Sequence, residues 1–339
     1  MTIIPDYCLQ HLNTLAIAAK AKFFVEVRDN DELSAALKFA REGQLPLLVL
    51  GGGSNIVLAD DFPGLAIMVK HAGIELVDED ENFVYLQVGA GENWHNLVRY
   101  CLGFHYWGLE NLSLIPGNVG AAPIQNIGAY GVELKDVFSE LRAMEIQSRV
   151  VVNFEKDACE FAYRDSIFKN RFRDRYIITH VTLKLHKSPH NMIEYPALKQ
   201  ALATIPEADL TPQNISDAVC EIRSAKLPKP EDIPNAGSFF KNPIVSNEDF
   251  ENLRQRYPTV VAYAAGAGHT KLAAAWLIEH AGLKGEQRGG ASVHKQQALV
   301  LTNTQQGSGL DLLALAKYVQ ERVFEQYAVN LEMEPRVYP

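Results

Sequence analysis

Apolar and polar positions alternate at regular spacing along most of the chain, with one long exception. From 30 to 43, Leu33, Ala36, Leu37 and Ala40 recur at helical spacing, the stripe of a helix with one buried face. Asn30 is placed to cap it, Asp31 and Glu32 suit its first turn, and Gly43 suits its end. Residues 45–50 form a continuous apolar run bounded by turn signals, a buried strand. Strands are predicted at 65–69, 74–77 and 83–88, then a helix over about 92–101. A hairpin follows over 141–153 around Ser148-Arg149, and a strand over 176–185. Pro189, Pro196, Pro206 and Pro212 then punctuate two helices, over about 197–203 and 214–225, and residues 226–230 read as a linker. Helices over 271–280 and about 310–325 lead to a tail, 331–337, that alternates like a strand.

The exception is 111–132. These 22 residues carry no charge in a chain that is 22% charged. Pro116, Pro123, four glycines and three asparagines bar a membrane span, and neither helical nor strand period holds for long. Such irregular backbone needs partners for its N–H and C=O groups, either its own protein or a flat, polar-edged ligand. Gly117, Gly120, Gly128 and Gly131 permit close approach. Two more glycine loops follow predicted strands, Gly51-Gly52-Gly53-Ser54-Asn55 and Gly89-Ala90-Gly91. Neither completes the dinucleotide fingerprint, because Ile56 and Trp94 stand where its third glycine belongs. The three segments together offer one ligand three backbone surfaces.

Composition narrows the classes. A net charge of -9 and a pI near 5.6 leave no basic stripe for nucleic acid. Hydrophobic content of 47% and mean hydropathy of -0.09 fit a soluble globular protein of two or three domains, with no membrane association expected. Cys8, Cys101, Cys159 and Cys220 are widely spaced, so neither a disulfide framework nor a zinc site is expected, and no other metal-ligand set appears. With no basic and apolar leader at the N-terminus, a reducing cytoplasm is expected.

Two further patches carry chemistry. Residues 161–169 set aromatics around Arg164 and Asp165; this is either a surface ion pair or an arginine for a carboxylate. Residues 235–243 place Ser238 between a glycine and two phenylalanines, with no G-x-S-x-G and no nearby histidine. A hydrolase nucleophile is therefore disfavoured and proton donation stays open.

In order and spacing these blocks resemble the UDP-N-acetylenolpyruvoylglucosamine reductase family, also called UDP-N-acetylmuramate dehydrogenases. The matching stretches are 51–55, 115–131, 163–166, 235–243 and 295–299, and the block around Tyr195 is similar to the longer, first type. The resemblance implies an α+β fold: a vanillyl-alcohol-oxidase (PCMH-type) FAD-binding unit of two subdomains, 1–68 with 328–339 and 69–226, and a separate α+β substrate-binding domain, 227–327. It implies an NADPH-dependent oxidoreductase of peptidoglycan synthesis, FAD and NADPH as cofactors, and UDP-N-acetylglucosamine enolpyruvate as substrate. Hydride would leave flavin N5 for the vinyl carbon distal to the carboxylate, with Ser238 protonating its neighbour, Arg164 on the carboxylate and Glu334 as the acid. By the same resemblance FAD meets Gly51, Gly52, Gly53, Ser54, Asn55, Gly117, Asn118, Gly120, Ala121, Gln125, Asn126, Gly128, Ala129 and Tyr130. Tyr195, Lys226 and Asn242 lie near the diphosphate of the substrate and Gln297 near its nucleotide sugar, and the protein is a monomer. One departure is Pro335 after Glu334 on a short tail, which leaves Glu332 as the other candidate acid and puts Glu334 on a sheet edge. Two alternatives are another flavin oxidoreductase of this fold, such as a sugar oxidase, and a non-catalytic nucleotide-sugar binder.

Overall fold

The apolar stripes settle into two units of a computed structural model that describes residues 1–266 and 268–339. Residues 1–7, 21–52 and 63–225 form the first unit, and 8–20, 53–62 and 226–339 the second.

The first unit holds two larger sheets and a two-residue antiparallel pair. The strand Leu47–Leu50 runs parallel to Phe62–Val69 at the edge of a four-stranded sheet. The helix Asn30–Glu42 buries Leu33, Ala36, Leu37 and Ala40 in one cluster with Val25, Leu65 and Ile67 of that sheet. Its cap is Asp29, which accepts from Glu32 N, whereas Asn30 opens the helix and turns its amide oxygen to His71. Gly43 ends the helix with φ -84, and the left-handed turn falls on Gln44. The second sheet has five antiparallel strands in the order Val151–Glu155, Phe138–Glu145, Tyr176–His186, Phe83–Gly89, Ile74–Glu79. The predicted hairpin is its edge, turning through Arg149 at φ 60. Helix Trp94–Gly103 packs its buried face into the same cluster as this sheet, and its N-cap Asn93 accepts from Asn96 N. Helices Pro196–Leu202 and Pro212–Lys226 form a smaller cluster with Tyr130 packed against it.

In the second unit, Asn235–Ser238 pairs with Val300–Asn303 at the edge of a four-stranded sheet. A three-stranded sheet takes His269–Leu272 as its middle strand. The helix expected from 271 therefore begins only at Ala274, because Lys271 and Leu272 pair with Tyr263 and Ala262. The long helix Gly309–Tyr327 starts on a capping box between Ser308 and Asp311. The tail strand Arg336–Tyr338 lies parallel to Ile56–Leu58.

Candidate active site

In the first unit the uncharged segment folds as two 3-10 turns, Glu110–Leu112 and Val119–Gln125, and a two-residue antiparallel pair. Much of its backbone is answered from inside the unit. Asn111 donates to Tyr130 O and Met192 O, and Ser113 shares a 2.7 Å bond with Ser216. Buried Asn126 donates to Glu133 and Ala162 O and accepts from Lys135 N. What the segment and the neighbouring Gly51-Gly52 turn outward is backbone without charge: Gly52, Pro116, Ala121 and Gly131 are exposed, and Gly51, Asn118, Gly128 and Ala129 half-buried.

The three glycine segments meet. A Cβ on Gly52 would stand 2.7 Å from Gly117 Cα, and one on Gly120 would stand 2.5 Å from Ala90 Cβ. Gly120 N donates to Ala90 O, Val119 N to Glu92 O, and Asn118 Nδ2 to Gly91 O. These glycines thus serve close packing between loops, and the packing builds a rim of uncharged backbone. Closely packed glycine backbone, uncharged throughout 111–132, suits the approach of a dianionic diphosphate, so these residues fit FAD.

Arg164 sits on the same framework. Ala162 and Asp165 exchange backbone hydrogen bonds of 3.1 and 3.2 Å, closing a turn that holds Arg164 at φ 54. A left-handed arginine is a strained residue kept in place by its surroundings. Asn126 grips Ala162 O, and Ser166 Oγ donates to Ile124 O, so the turn is bolted to 111–132. The guanidinium donates to Gly128 O at 2.8 Å. Tyr195, 38% exposed, meets Tyr130 edge to face with ring centroids 5.2 Å apart.

The second unit sets the backbone of Glu334 against the residue that follows Ser238. Phe239 N donates to Leu299 O, and Glu334 N donates to Phe239 O at 2.9 Å, which sets the tail glutamate beside the serine's neighbour. A single bridge, Phe240 to Met333, makes this contact, and Pro335 follows where no ladder N–H is needed. Glu332 is exposed and paired with Lys241, whose N donates to Glu332 O. Of the two candidate acids, Glu334 is the half-buried one. Asn55 donates to Glu334 O at 3.4 Å and accepts from Arg336 N, so the glycine loop's last residue holds the acid's backbone. Gly53, at φ 59, leaves no room for a Cβ, which would stand 1.9 Å from Leu12 O.

The remaining predicted residues occupy definite places. Asn242 Oδ1 accepts from Ala274 N and caps that helix. Gln297 turns the chain into Val300–Asn303, its N donating to His294 Nδ1 and its O accepting from Val300 N. Lys226 is exposed at the last residue of its helix, and Gln125 and Ser54 are half-buried. Sequence reasoning passed over Asn235, Lys241, His95 and Arg223. Asn235 lay inside a quoted block as an ordinary polar residue; its burial between prolines and a glycine was the available signal. Among the described residues no cluster could hold a metal ion, and no helix is long and apolar enough to cross a membrane.

A rim of uncharged, glycine-packed backbone built on two sheets, with a buttressed arginine, is the architecture of an FAD-binding oxidoreductase. An FAD binding domain model matches residues 21–152, and a model of the UDP-N-acetylenolpyruvoylglucosamine reductase C-terminal domain matches 229–338. The chain is 48% identical over 331 residues to the UDP-N-acetylenolpyruvoylglucosamine reductase of Shewanella oneidensis, covering 98% of this chain and 96% of the relative. It is 46% identical to that of Pseudomonas putida, covering 97% of each. In fold it is similar to the crystal structure of the reductase from Thermus caldophilus, with TM-score 0.69, 23% identity and coverage of 100% and 98%. A more distant likeness in fold is 6-hydroxy-D-nicotine oxidase from Arthrobacter nicotinovorans, TM-score 0.54, 11% identity, covering 97% and 86%. The chain belongs to the UDP-N-acetylenolpyruvoylglucosamine reductase family.

Proposed function

We propose that this enzyme reduces UDP-N-acetylglucosamine enolpyruvate to UDP-N-acetylmuramate at the expense of NADPH, as a cytoplasmic monomer. The observation that supports the residue roles is the hydrogen bond from Glu334 N to Phe239 O, which joins the tail acid's backbone to the residue after Ser238. Bound FAD supplies hydride chemistry, accepting hydride from NADPH and delivering it to the vinyl carbon distal to the carboxylate.

The protein's part is to hold charge and move a proton. The glycine rim (Gly51, Gly52, Gly53, Gly117, Asn118, Gly120, Ala121) would grip FAD through peptide groups, with Ser54, Asn55, Gln125, Asn126, Gly128, Ala129 and Tyr130 shaping the edges. Hydride addition drives negative charge into the enolpyruvyl carboxylate. Arg164, its backbone already locked in a strained turn, binds that carboxylate more strongly as charge grows. Ser238 gives its proton to the carbon next to the carboxylate, and Glu334 assists as the acid. Serine is a weak acid, so it protonates carbon only against a strongly basic enolate formed beside it. Tyr195, Lys226 and Asn242 are assigned to the diphosphate of the substrate and Gln297 to its nucleotide sugar.

Rapid-mixing kinetics on Ser238→Ala test this. Flavin reduction by NADPH should stay within a few-fold of wild type, while reoxidation by the enolpyruvyl nucleotide falls by at least about a hundredfold. Equal losses in both half-reactions would remove the proton-donor role.

A further inference from the structure

The first residues of the helix Trp94–Gly103, and the two before it, hold the uncharged segment at successive points. Glu92 O accepts from Val119 N, and Asn93 bridges Asn118. Trp94, 1% exposed, donates from its backbone N to Gly117 O and from its indole Nε1 to Leu112 O, both at 3.0 Å. Between those two anchors Leu114 stands at φ 59, and Gly117 follows at φ 110. Glycine adopts such a φ freely, whereas a bulky side chain does so only where its surroundings impose it.

His95 supplies that constraint. Its Nδ1 accepts the Leu114 N–H at 3.0 Å, and on the carbonyl side of the same residue Arg223 Nε donates to Leu114 O at 3.3 Å. An accepting Nδ1 presents a lone pair, so the ring is neutral with its proton on Nε2. Burial lowers the His95 pKa, and Arg99 and Arg223 lower it further, which favours that neutral form. The residue before Leu114 is fixed too: Ser113 is fully buried, and its hydroxyl engages Glu110 O and Ser216. Ile115-Pro116 is therefore held at one end by Leu114, through His95, and at the other by Gly117, through Trp94 N.

We propose that His95 is a positioning residue for the flavin: by holding the left-handed Leu114 peptide, its Nδ1 sets how Ile115-Pro116-Gly117 is presented to FAD. Pro116 fixes its own φ and keeps Ile115 extended, so the turn is a stiff arm whose direction is decided at its root. Leu114 is that root. Without an acceptor for its N–H, Leu114 gains by relaxing out of the left-handed region, and the arm swings. The inference rests on the reading that Gly117 meets FAD.

The test follows FAD loss from the loaded enzyme on dilution, read as recovery of free-flavin fluorescence, with far-ultraviolet circular dichroism reporting the fold. His95→Leu keeps the bulk and removes the acceptor, whereas His95→Asn loses bulk and keeps an oxygen at the place of Nδ1. Release should accelerate about tenfold to a hundredfold in His95→Leu, the usual cost of leaving a donor without its acceptor, and stay within about threefold of wild type in His95→Asn. Should His95→Leu fail to fold, His95→Gln, whose amide reaches one bond too far, stands in with the same expectation. Equal acceleration in both variants would reduce His95 to packing, and an unchanged rate in His95→Leu would leave it no role; either overturns the inference. Gly117→Ala separates the inference from the reading beneath it, because a Cβ at φ 110 is strained. Release at the wild-type rate from Gly117→Ala removes the flavin contact at this turn, and the inference with it. Fast release from Gly117→Ala beside wild-type release from His95→Leu defeats the role of His95 alone.

Discussion

Asn235 is buried, and its side chain is spent entirely on backbone. Nδ2 donates to Pro228 O and Ile233 O, and Oδ1 accepts from Gly237 N at 2.8 Å. It ties residues 228–233 to the start of the strand that ends in Ser238, across Gly237 at φ 69. Removing the amide strands three polar groups, so Asn235→Ala should cost about 2–3 kcal/mol, seen as a lower urea midpoint at unchanged slope. Ser238 would lose its alignment too, and kcat should fall further than KM rises. The two tail acids separate in the same way. Glu332 is 69% exposed and paired with Lys241 across the surface. Such pairs contribute little. Glu332→Gln should keep kcat within about threefold of wild type, while Glu334→Gln should lose about a hundredfold or more. The reverse ranking in steady-state assays would move the acid to Glu332.

At the scale of elements, the periodic helices and strands were legible in the sequence because a stripe or an alternation is a local property. Leu33, Ala36, Leu37 and Ala40 face a core for the reason their spacing suggests. The errors came where a partner distant in sequence decided. Lys271 and Leu272 carry helical spacing but pair as a strand with Tyr263 and Ala262. Asp29 caps the first helix because Asn30 is engaged with His71, a residue of another element. Within 111–132 the lack of charge was legible, and so was the need for partners. That many partners would be Ala162, Met192 and Ser216 was not, since nothing local encodes such contacts. The glycines carried a double meaning for the same reason. Read as ligand approach, Gly52 and Gly120 also prove to be where loops touch each other. Gly52→Ala would push a methyl against Gly117 backbone, which cannot give way as a flexible side chain could. The expected cost is about 1–3 kcal/mol. FAD retained per protein, measured from the ratio of visible to ultraviolet absorbance, should fall; full retention would mean the loops yield without disturbing the rim.

For the molecule as a whole, two imidazoles buried in the first unit are a source of its response to acid. His71 is 2% exposed, its Nε2 lies 3.3 Å from Asn30 Oδ1, and its buried Nδ1 has no hydrogen-bond partner among the described residues. It meets His180 edge to face at 5.7 Å. Burial pushes the His71 pKa down against the opposing pull of Asp29 and Glu32. Burial, then His71 and Arg142, pushes His180 down to about 4. Both groups are depressed, so the unfolded chain takes up protons near its ordinary value of 6.5 while the folded chain stays neutral. Stability is therefore undiminished by this pair above pH 6.5 and falls as pH drops from there towards about 4. Carboxylates with depressed pKa, such as Glu145 held by Ser148 and Arg175, lose their contribution in the same direction but only below their own unfolded value of 4.5. The window between 6.5 and 4.5 thus isolates imidazoles, this pair together with His95, His186 and His294, whose pKa burial also lowers. Urea midpoints of the wild type should fall across that window, and His71→Gln with His180→Gln should flatten the slope there while leaving the steeper loss below 4.5 intact. Parallel slopes in the two proteins would place the acid sensitivity elsewhere. Because His71 O accepts from Gly91 N beneath the glycine rim, the wild type should also shed FAD as stability falls in this window.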